Sequence, residues 1–480
     1  MIYQSATHLA EAIKAGKTTS LAETKACLDQ IEQHNDQLQA IVVHNKEAAL
    51  ERAQSLDEEL KAGNNRGPLH GVPVTVKEAF NMVGLPTTVN YPPLKNFVAK
   101  HDSIFVQRLY DAGAVIVGKT NIPLMLADSQ SFGPIYPTAN NPYDLTRTPG
   151  GSTGGGAAAI AAGFGTFEIG SDIGGSIRNP AHYCGLYGLK PTENGHHQGG
   201  HLPPVPNSKM GFDRMDSYGP LARTMDDIEL AWSIMGKPRW DYLKMLPVQH
   251  PMENRPSLKA YKIAWYDHLS IYDSGPDSKA AMDSFLKAMT IAGATCEKIT
   301  IDPKLVEQLI EVWSILFGFV AGQDSNWIIR QLMKLKFGGM GKGTRGNMIK
   351  YLRKGLNLNF KDYSRTLRKR QELIAAFHEI YQEYDFIASP VSHGPAFEHN
   401  HKHVPIAVNG KKIPYVEYCF MFVMPYNAMG SPSLAIPVHQ TAAGLPVGIQ
   451  VAGPHYTESQ LIHFGKLVEA TGFEFKPPKL

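Results

Sequence analysis

The chain has 480 residues, of which 43% are hydrophobic and 19% charged, a balance that excludes a disordered polypeptide and suits a folded protein with a sizeable core. Its four cysteines, Cys27, Cys184, Cys296 and Cys419, form no C-x-x-C pair, so a disulfide framework is not expected and a reducing compartment is. The net charge of +3 hides a local excess, because residues 330–370 carry 13 Lys or Arg and one acid, Asp362.

The N-terminus reads as a short amphipathic helix without the charged region and apolar core of a secretory signal. No apolar run approaches the roughly 20 residues that span a bilayer, so the expected location is the cytoplasm. Ser20-x-x-Glu23 has capping-box spacing and opens a predicted helix through Cys27 and Ile31. Ala49, Ala53, Leu56 and Leu60 then recur at helical spacing until Gly63. Residues 72–76 predict a strand that ends in Lys77. A helix over 103–112 leads through Gly113 into a strand at 114–117. Between 148 and 192, glycine clusters flank an Ala-rich helix at 156–162, and a strand at 167–170 runs into Ser171-Asp-Ile-Gly-Gly-Ser176. Helical periodicity returns over 309–335 and 363–384. The tail predicts strands at 433–438 and 447–451 and a last helix over 459–469. Helices alternating with short β-rich runs indicate an α/β fold, a central parallel or mixed sheet covered by helices. No break in composition marks a domain boundary. The chain is read as one domain in four stretches: N-terminal helices (1–64), a glycine-rich core (65–225), a variable, partly helical region (226–385) and a return to the core (386–480).

The glycine cluster is no phosphate loop, because the G-x-x-x-x-G-K-[ST] spacing is absent from it. Gly150-Gly-Ser152-Thr-Gly154 matches G-x-S-x-G, but residues 146–149 read as a loop, and a nucleophile elbow needs a strand there. Glycines this dense still mark backbone that takes positive φ or approaches something closely. Ile173-Gly174-Gly175-Ser176 can turn successive N–H groups inward as a nest for an oxyanion, with a hydroxyl at its end. Spacing alone does not separate that reading from a structural turn.

The segments Gly71-Val-Pro-Val-Thr-Val-Lys77, Gly150-Gly-Ser152-Thr-Gly-Gly155 and Gly170-Ser-Asp172-Ile-Gly-Gly-Ser176-Ile-Arg178-Asn-Pro180 occur in that order. With Tyr218-Gly-Pro-Leu-Ala-Arg-Thr224 and Gly444-Leu-Pro-Val-Gly-Ile-Gln450, they resemble the amidase signature family, which includes bacterial amidases and fatty-acid amide hydrolase. The resemblance covers most of the chain and is loose over 225–385. It implies a single α/β amidase domain with a mixed sheet, working as a serine amidohydrolase without a cofactor. Ser176 would be the nucleophile, Ser152 the bridging serine on a cis peptide, and Lys77 the base. The N–H groups of Ile173, Gly174, Gly175 and Ser176 would form the oxyanion hole. Thr153 stands where the family has a second serine, and Glu78 where many relatives have Asp. Asp172 and Arg178 are expected to pair in support of the loop. The acyl pocket is expected near Met125, Ser129, Tyr183 and Leu186 and in the central, substrate-facing region (226–385). A lysine with an ordinary pKa near 10.4 must be desolvated to act as a neutral base, and serine hydroxyls can hold it without a carboxylate that would keep it charged.

Two histidine clusters invite a competing metal reading. His399-Asn-His401-Lys-His403 alternates like a strand with three ligands on one face, and His196, His197 and His201 form the other. Polar loops, bordering the substrate entrance, account for both, so no metal is expected. Residues 327–337 are apolar on one face and basic on the other. Their plain meaning is a surface helix, and their sharper meaning, extended over 327–370, is contact with an anionic membrane. Nucleic acid is not an expected partner, because no binding motif accompanies the charge. The expected partner is a small amide, with the protein a monomer or homodimer. The rival function is the glutamine-hydrolysing subunit of a tRNA-dependent amidotransferase, from which Glu193-Asn-Gly-His-His-Gln198 departs.

Overall fold

The computed structural model describes residues 3–194, 199–203, 215–237, 253–323 and 325–480. Among them, eleven strands form one mixed sheet. In chain order they are β1 (Ile41–His44), β2 (Pro73–Lys77), β3 (Val115–Thr120), β4 (Phe167–Asp172), β5 (Tyr187–Lys190), β6 (Ser217–Ala222), β7 (Lys262–Trp265), β8 (Thr295–Lys298), β9 (Phe386–Pro390), β10 (Ser433–Gln440) and β11 (Pro446–Ala452). Their order across the sheet is β1-β3-β2-β4-β6-β5-β10-β11-β9-β7-β8. β2 is parallel to both β3 and β4, whereas β4 to β6 and β10 to β11 are antiparallel. Every residue of β2, β3 and β4 is buried, which is why these strands lack an apolar–polar alternation: helices cover both faces.

The pleat sorts neighbouring residues between two cores. Ile263, Phe386, Ala388 and Val451 enter one, while Ala264, Ile387 and Ala452 enter the other. The second core is closed by α-helices from the variable region. To name the helices that matter here, α1 spans Gly154–Ala161, α2 Arg178–Tyr183, α3 Pro303–Gly322, α4 Trp327–Met340, α5 Met348–Gly355 and α6 Phe360–Ile380. α3 buries Leu309, Trp313 and Leu316, each contributing about 1.5–3 kcal/mol of hydrophobic stabilisation.

Three expectations change. The periodicity over 309–335 belongs to two helices, because the chain leaves α3 after Gly322 and restarts where the Asn326 side chain accepts from the Ile329 N–H, 3.0 Å away. α3 is also long and apolar enough to cross a bilayer, with mean hydropathy 1.5, which the sequence reading did not find. It behaves as a core helix here: a Cβ on Gly318 would lie 2.2 Å from the Leu352 carbonyl of α5, so the two helices touch backbone to backbone. Finally, Thr19, not Ser20, caps the helix Ser20–Leu38. The Ser20 hydroxyl is buried and donates to the Gly71 carbonyl, while Glu23 accepts from Thr18.

Candidate active site

The parallel register sets Val76 opposite Ile169, so Lys77 and Ser171 leave the sheet at the same carboxyl end, where open α/β sheets place their ligands. α1 then brings Ser152 to them. Its Gly/Ala sequence is a packing requirement, since a Cβ on Gly155 would fall 2.3 Å from the Asn121 nitrogen. The Gly151–Ser152 peptide is cis, as the resemblance implied. Lys77 is fully buried, Ser152 is 2% exposed and Ser176 7%. Lys77 Nζ lies 2.7 Å from Ser152 Oγ, 2.9 Å from Ser171 Oγ and 3.4 Å from the Ser171 carbonyl. The Thr153 N–H donates to the Ser176 carbonyl at 3.2 Å, tying the two serine loops together. No hydrogen bond among the described residues joins the Ser152 and Ser176 hydroxyls.

The turn that carries Ser176 is built on Asp172. Its carboxylate accepts from the N–H of Gly175 at 2.8 Å and of Ile177 at 3.1 Å, and pairs with both Nε and a terminal nitrogen of Arg178. Arg178 in turn donates to the Val423 carbonyl and to Gln450. Both charges are completely buried. Burial alone would raise the Asp172 pKa, but the Arg178 guanidinium reverses this and holds the carboxyl well below its usual range. Gly175 takes φ +92°, open to glycine, and an added Cβ would strike Val423 at 2.6 Å. Because the Gly175 N–H is used by Asp172, the nest that remains for an oxyanion consists of the N–H groups of Ile173, Gly174 and Ser176. Among the described residues, none of these three N–H groups meets an acceptor.

Burial lowers the Lys77 pKa from 10.5 to about 7, against the pull of Asp216, Asp172 and Glu168, which favour the charged form. The hydrogen-bond partners of this amine are hydroxyls and a backbone carbonyl, as expected; the carboxylates act on it only through their charge, and desolvation prevails over them. Glu168 is itself pushed up to about 8 by burial, with Thr75 and Thr120 donating hydroxyls to it. A protonated Glu168 weakens the field that would keep Lys77 charged.

Ser176 lies where two cavities meet. The larger, about 330 Å³, is walled by Val89, Leu94, Met125, Phe317, Ile329 and Met333. The smaller shares Ile173, Ser176 and Phe317 with it and adds Trp313, Phe337 and Phe420. Of the expected pocket residues, Met125 lines the larger cavity. Ser129, Tyr183 and Leu186 line neither. Tyr183 packs into the second core with its hydroxyl 3.0 Å from Ser392 Oγ, and Leu186 is buried beneath α1 and α2 with Ala157 and Ala181. The helix α2 turns them away from the cavity.

The histidines part company. His196 and His197 lie outside the described residues. His201 borders the cavity from within: it is 4% exposed, lines the larger cavity, and its Nε2 is 3.1 Å from Ser171 Oγ. His399, His401 and His403 do not form a strand. His401 stacks on Phe132 at 4.2 Å, and His403 Nε2 reaches Asp128 at 2.6 Å. Among the described residues, no group of three or more His, Cys, Asp or Glu could hold one metal ion. Sequence reasoning missed Ser171 and His201 as neighbours of Lys77. Ser171 lies inside a recognised motif, whereas nothing local signals His201, which is drawn in by a bridge to Phe80 and by the Asn81 N–H on the Gly200 carbonyl.

A family model described as Amidase matches residues 22–462. A glutamyl-tRNA(Gln) amidotransferase subunit from Lachnospira eligens is 31% identical, covering 98% of this chain and 99% of its own. An acylamidase of Rhodococcus erythropolis is 28% identical, covering 97% and 95%. The solved structure of an amidase superposes with TM-score 0.79 at 26% identity, over 97% of this chain and 99% of that one.

Proposed function

The chain belongs to the amidase family and acts on C–N amide bonds, and from that premise we propose a Ser-Ser-Lys mechanism on a small amide with an apolar acyl group. One observation carries the reading: Lys77 Nζ sits 2.7 Å from Ser152 Oγ in completely buried surroundings. A serine hydroxyl is a weak nucleophile until a base removes its proton in the transition state. Neutral Lys77 draws the proton from Ser152 while Ser152 takes that of Ser176, and Ser176 Oγ adds to the amide carbon. The leg between the two hydroxyls closes as substrate settles, since catalytic hydrogen bonds tighten on binding. The oxyanion rests on the N–H groups of Ile173, Gly174 and Ser176. The C–N bond then breaks as the relay returns its proton to the departing nitrogen, releasing ammonia or an amine. Water adds to acyl-Ser176 by the same path, giving the carboxylate and restoring the serine.

The relatives named as amidotransferase subunits support a second reading, glutamine hydrolysis beside a partner protein. The apolar wall of Leu94, Met125, Phe317 and Met333 favours the first. The experiment is labelling with a fluorophosphonate, followed by amides of graded acyl length. Labelling of the wild type and its loss in Ser176→Ala are expected, and labelling unchanged by that substitution overturns the nucleophile. Glutaminase activity that requires a copurifying partner, without hydrolysis of simple amides, transfers the case to the second reading.

The apolar face of α4 extends the proposal to a membrane surface. Trp327, Ile328, Leu332 and Leu335 are 61–71% exposed, beside Ile329 and Met333 of the cavity wall and at the start of the basic stretch 330–370. An anionic bilayer matches both features. Salt-sensitive co-sedimentation with anionic vesicles, weakened by replacing Lys334 and Lys336, is expected; its absence removes this part of the proposal.

A further inference from the structure

A neutral lysine has two N–H donors and one lone pair, and Lys77 has three oxygens to divide among them. The Ser171 carbonyl can only accept, so it takes one N–H. The two hydroxyls, Ser152 and Ser171, are left to share the other N–H and the lone pair. The base works only if the lone pair faces Ser152. That outcome is decided by where the Ser171 hydroxyl proton points. Turned toward Lys77, it would occupy the lone pair and leave Ser152 accepting an N–H, the wrong polarity for proton abstraction. Turned away, it leaves Ser171 Oγ accepting from Lys77 and the lone pair free for Ser152.

The atom that can turn it away is His201 Nε2, 3.1 Å from Ser171 Oγ. We propose that His201, acting through Ser171, orients the lone pair of Lys77 toward Ser152 and is a positioning residue of the relay. The ring is held for this task, lying between Phe80 and Tyr218 with centroids 4.8 Å from each. Charged or titratable groups around it are Lys77, Tyr218 and, in the same cavity, Asp216. Burial holds His201 neutral well below its ordinary titration range, and any charge on Lys77 acts in the same direction. A neutral ring accepting at Nε2 carries its proton on Nδ1, a buried atom that no acceptor among the described residues meets within hydrogen-bond distance; the Pro203 carbonyl is the backbone acceptor that acts on the ring. The chain of polarity is then Ser152 O–H to Lys77 Nζ, Lys77 N–H to Ser171 Oγ, and Ser171 O–H to His201 Nε2. No proton leaves or enters through His201.

This inference rests on Lys77 being the base, and the experiment separates the two. Active sites are counted by fluorophosphonate titration, and kcat is expressed per titrated site. His201→Phe, which keeps an aromatic ring between Phe80 and Tyr218, is expected to lose on the order of 10- to 100-fold in kcat with KM unchanged. His201→Gln, whose side-chain oxygen can still accept from Ser171, is expected to recover most of that loss. Ser171→Ala combined with His201→Phe is expected to cost no more than Ser171→Ala alone. Nitrogen NMR of the wild type should show the His201 ring neutral with its proton on Nδ1. A His201→Phe enzyme within about twofold of wild type, or a proton found on Nε2, overturns the proposal while Lys77→Met remains inactive. Full activity in Lys77→Met overturns the base itself, and this inference with it.

Discussion

The cavity has two walls held by different forces. The wall of β2, β4, α1 and α2 carries Lys77, Ser152 and Ser176, and its buried ionisable side chains at Asp172, Arg178 and Glu168 are matched to named partners. Asp172 answers the Gly175 and Ile177 N–H groups and Arg178, Arg178 answers Gln450 and the Val423 carbonyl, and Glu168 answers two threonines. The opposite wall, from α3 and α4, presents Trp313, Phe317, Ile329 and Met333 and holds its place mainly by apolar contact, with one hydrogen bond from Trp313 Nε1 to the Ile173 carbonyl at 3.1 Å. A hydrogen-bonded network tolerates little displacement, because an unpartnered buried group is costly. An apolar wall can change shape while keeping most of its favourable burial. Under the proposed mechanism the first wall sets the reaction, and the second sets what is accepted.

That contrast is broken most directly at Lys77. Lys77→Met is expected to lower kcat/KM on the order of 10³-fold. With the Lys77 pKa at about 7, the wild-type rate should fall about tenfold per unit below pH 7 and level above it, because only the neutral amine accepts a proton. The residual rate of the variant should lack that limb in a pH–rate profile.

Asp172→Asn leaves the buried Arg178 charge without its partner, and a loss of about 3–5 kcal/mol in unfolding free energy is expected from the denaturant midpoint. A comparable loss from substitutions in α4 would refute the division between the walls.

His182 probes the polar wall through acid stability. Its Nδ1 accepts from the Gly448 N–H at 2.8 Å and its Nε2 donates to the Gly394 carbonyl at 3.0 Å, which requires a neutral ring. Burial lowers its pKa to about 4 from 6.5. Below pH 6.5 the unfolded chain binds a proton that the folded one refuses. Stability should therefore be full above pH 6.5 and decline by roughly 3 kcal/mol as pH falls to about 4. The slope should vanish in His182→Gln.

On the apolar wall, effects should appear in selectivity. Phe317→Ala enlarges the cavity and is expected to shift relative kcat/KM toward longer acyl chains by roughly tenfold, measured across a series of amides. Unchanged preference would place the acyl group elsewhere. Smallest of all, Leu332→Ser with Leu335→Ser should move unfolding free energy by no more than about 0.5 kcal/mol, because both side chains are exposed.

Much of the first wall was legible in the chain itself. The β-branched run that ends in Lys77, the strand that ends at Asp172 and the glycines that form the nest are features of local backbone preference. The order of the Lys77, Ser152 and Ser176 segments is likewise written along the chain, and Asp172 and Arg178 sit close enough in sequence for their pairing to be anticipated. Local pattern was less informative where two elements compete for a residue: Ser20 has the type and spacing of a cap, yet packing against Gly71 takes its hydroxyl.

By itself the chain determined an α/β fold, because strand period and turn chemistry act over a few residues, and the resemblance of its ordered motifs implied an amidase with a lysine, two serines and a glycine nest. Tertiary packing settled the rest. It removed Gly175 from the nest, sent Tyr183 and Leu186 into the core, and set Ser171 and His201 around the amine of Lys77. It also chose which residues of the central region, expected from the sequence to face the substrate, line the cavity beside Ser176: Phe317, Ile329 and Met333, more than a hundred positions from the Lys77, Ser152 and Ser176 motifs. These outcomes depend on which distant surfaces are buried together, and that burial is what lowers the Lys77 pKa to about 7, as the proposed base requires.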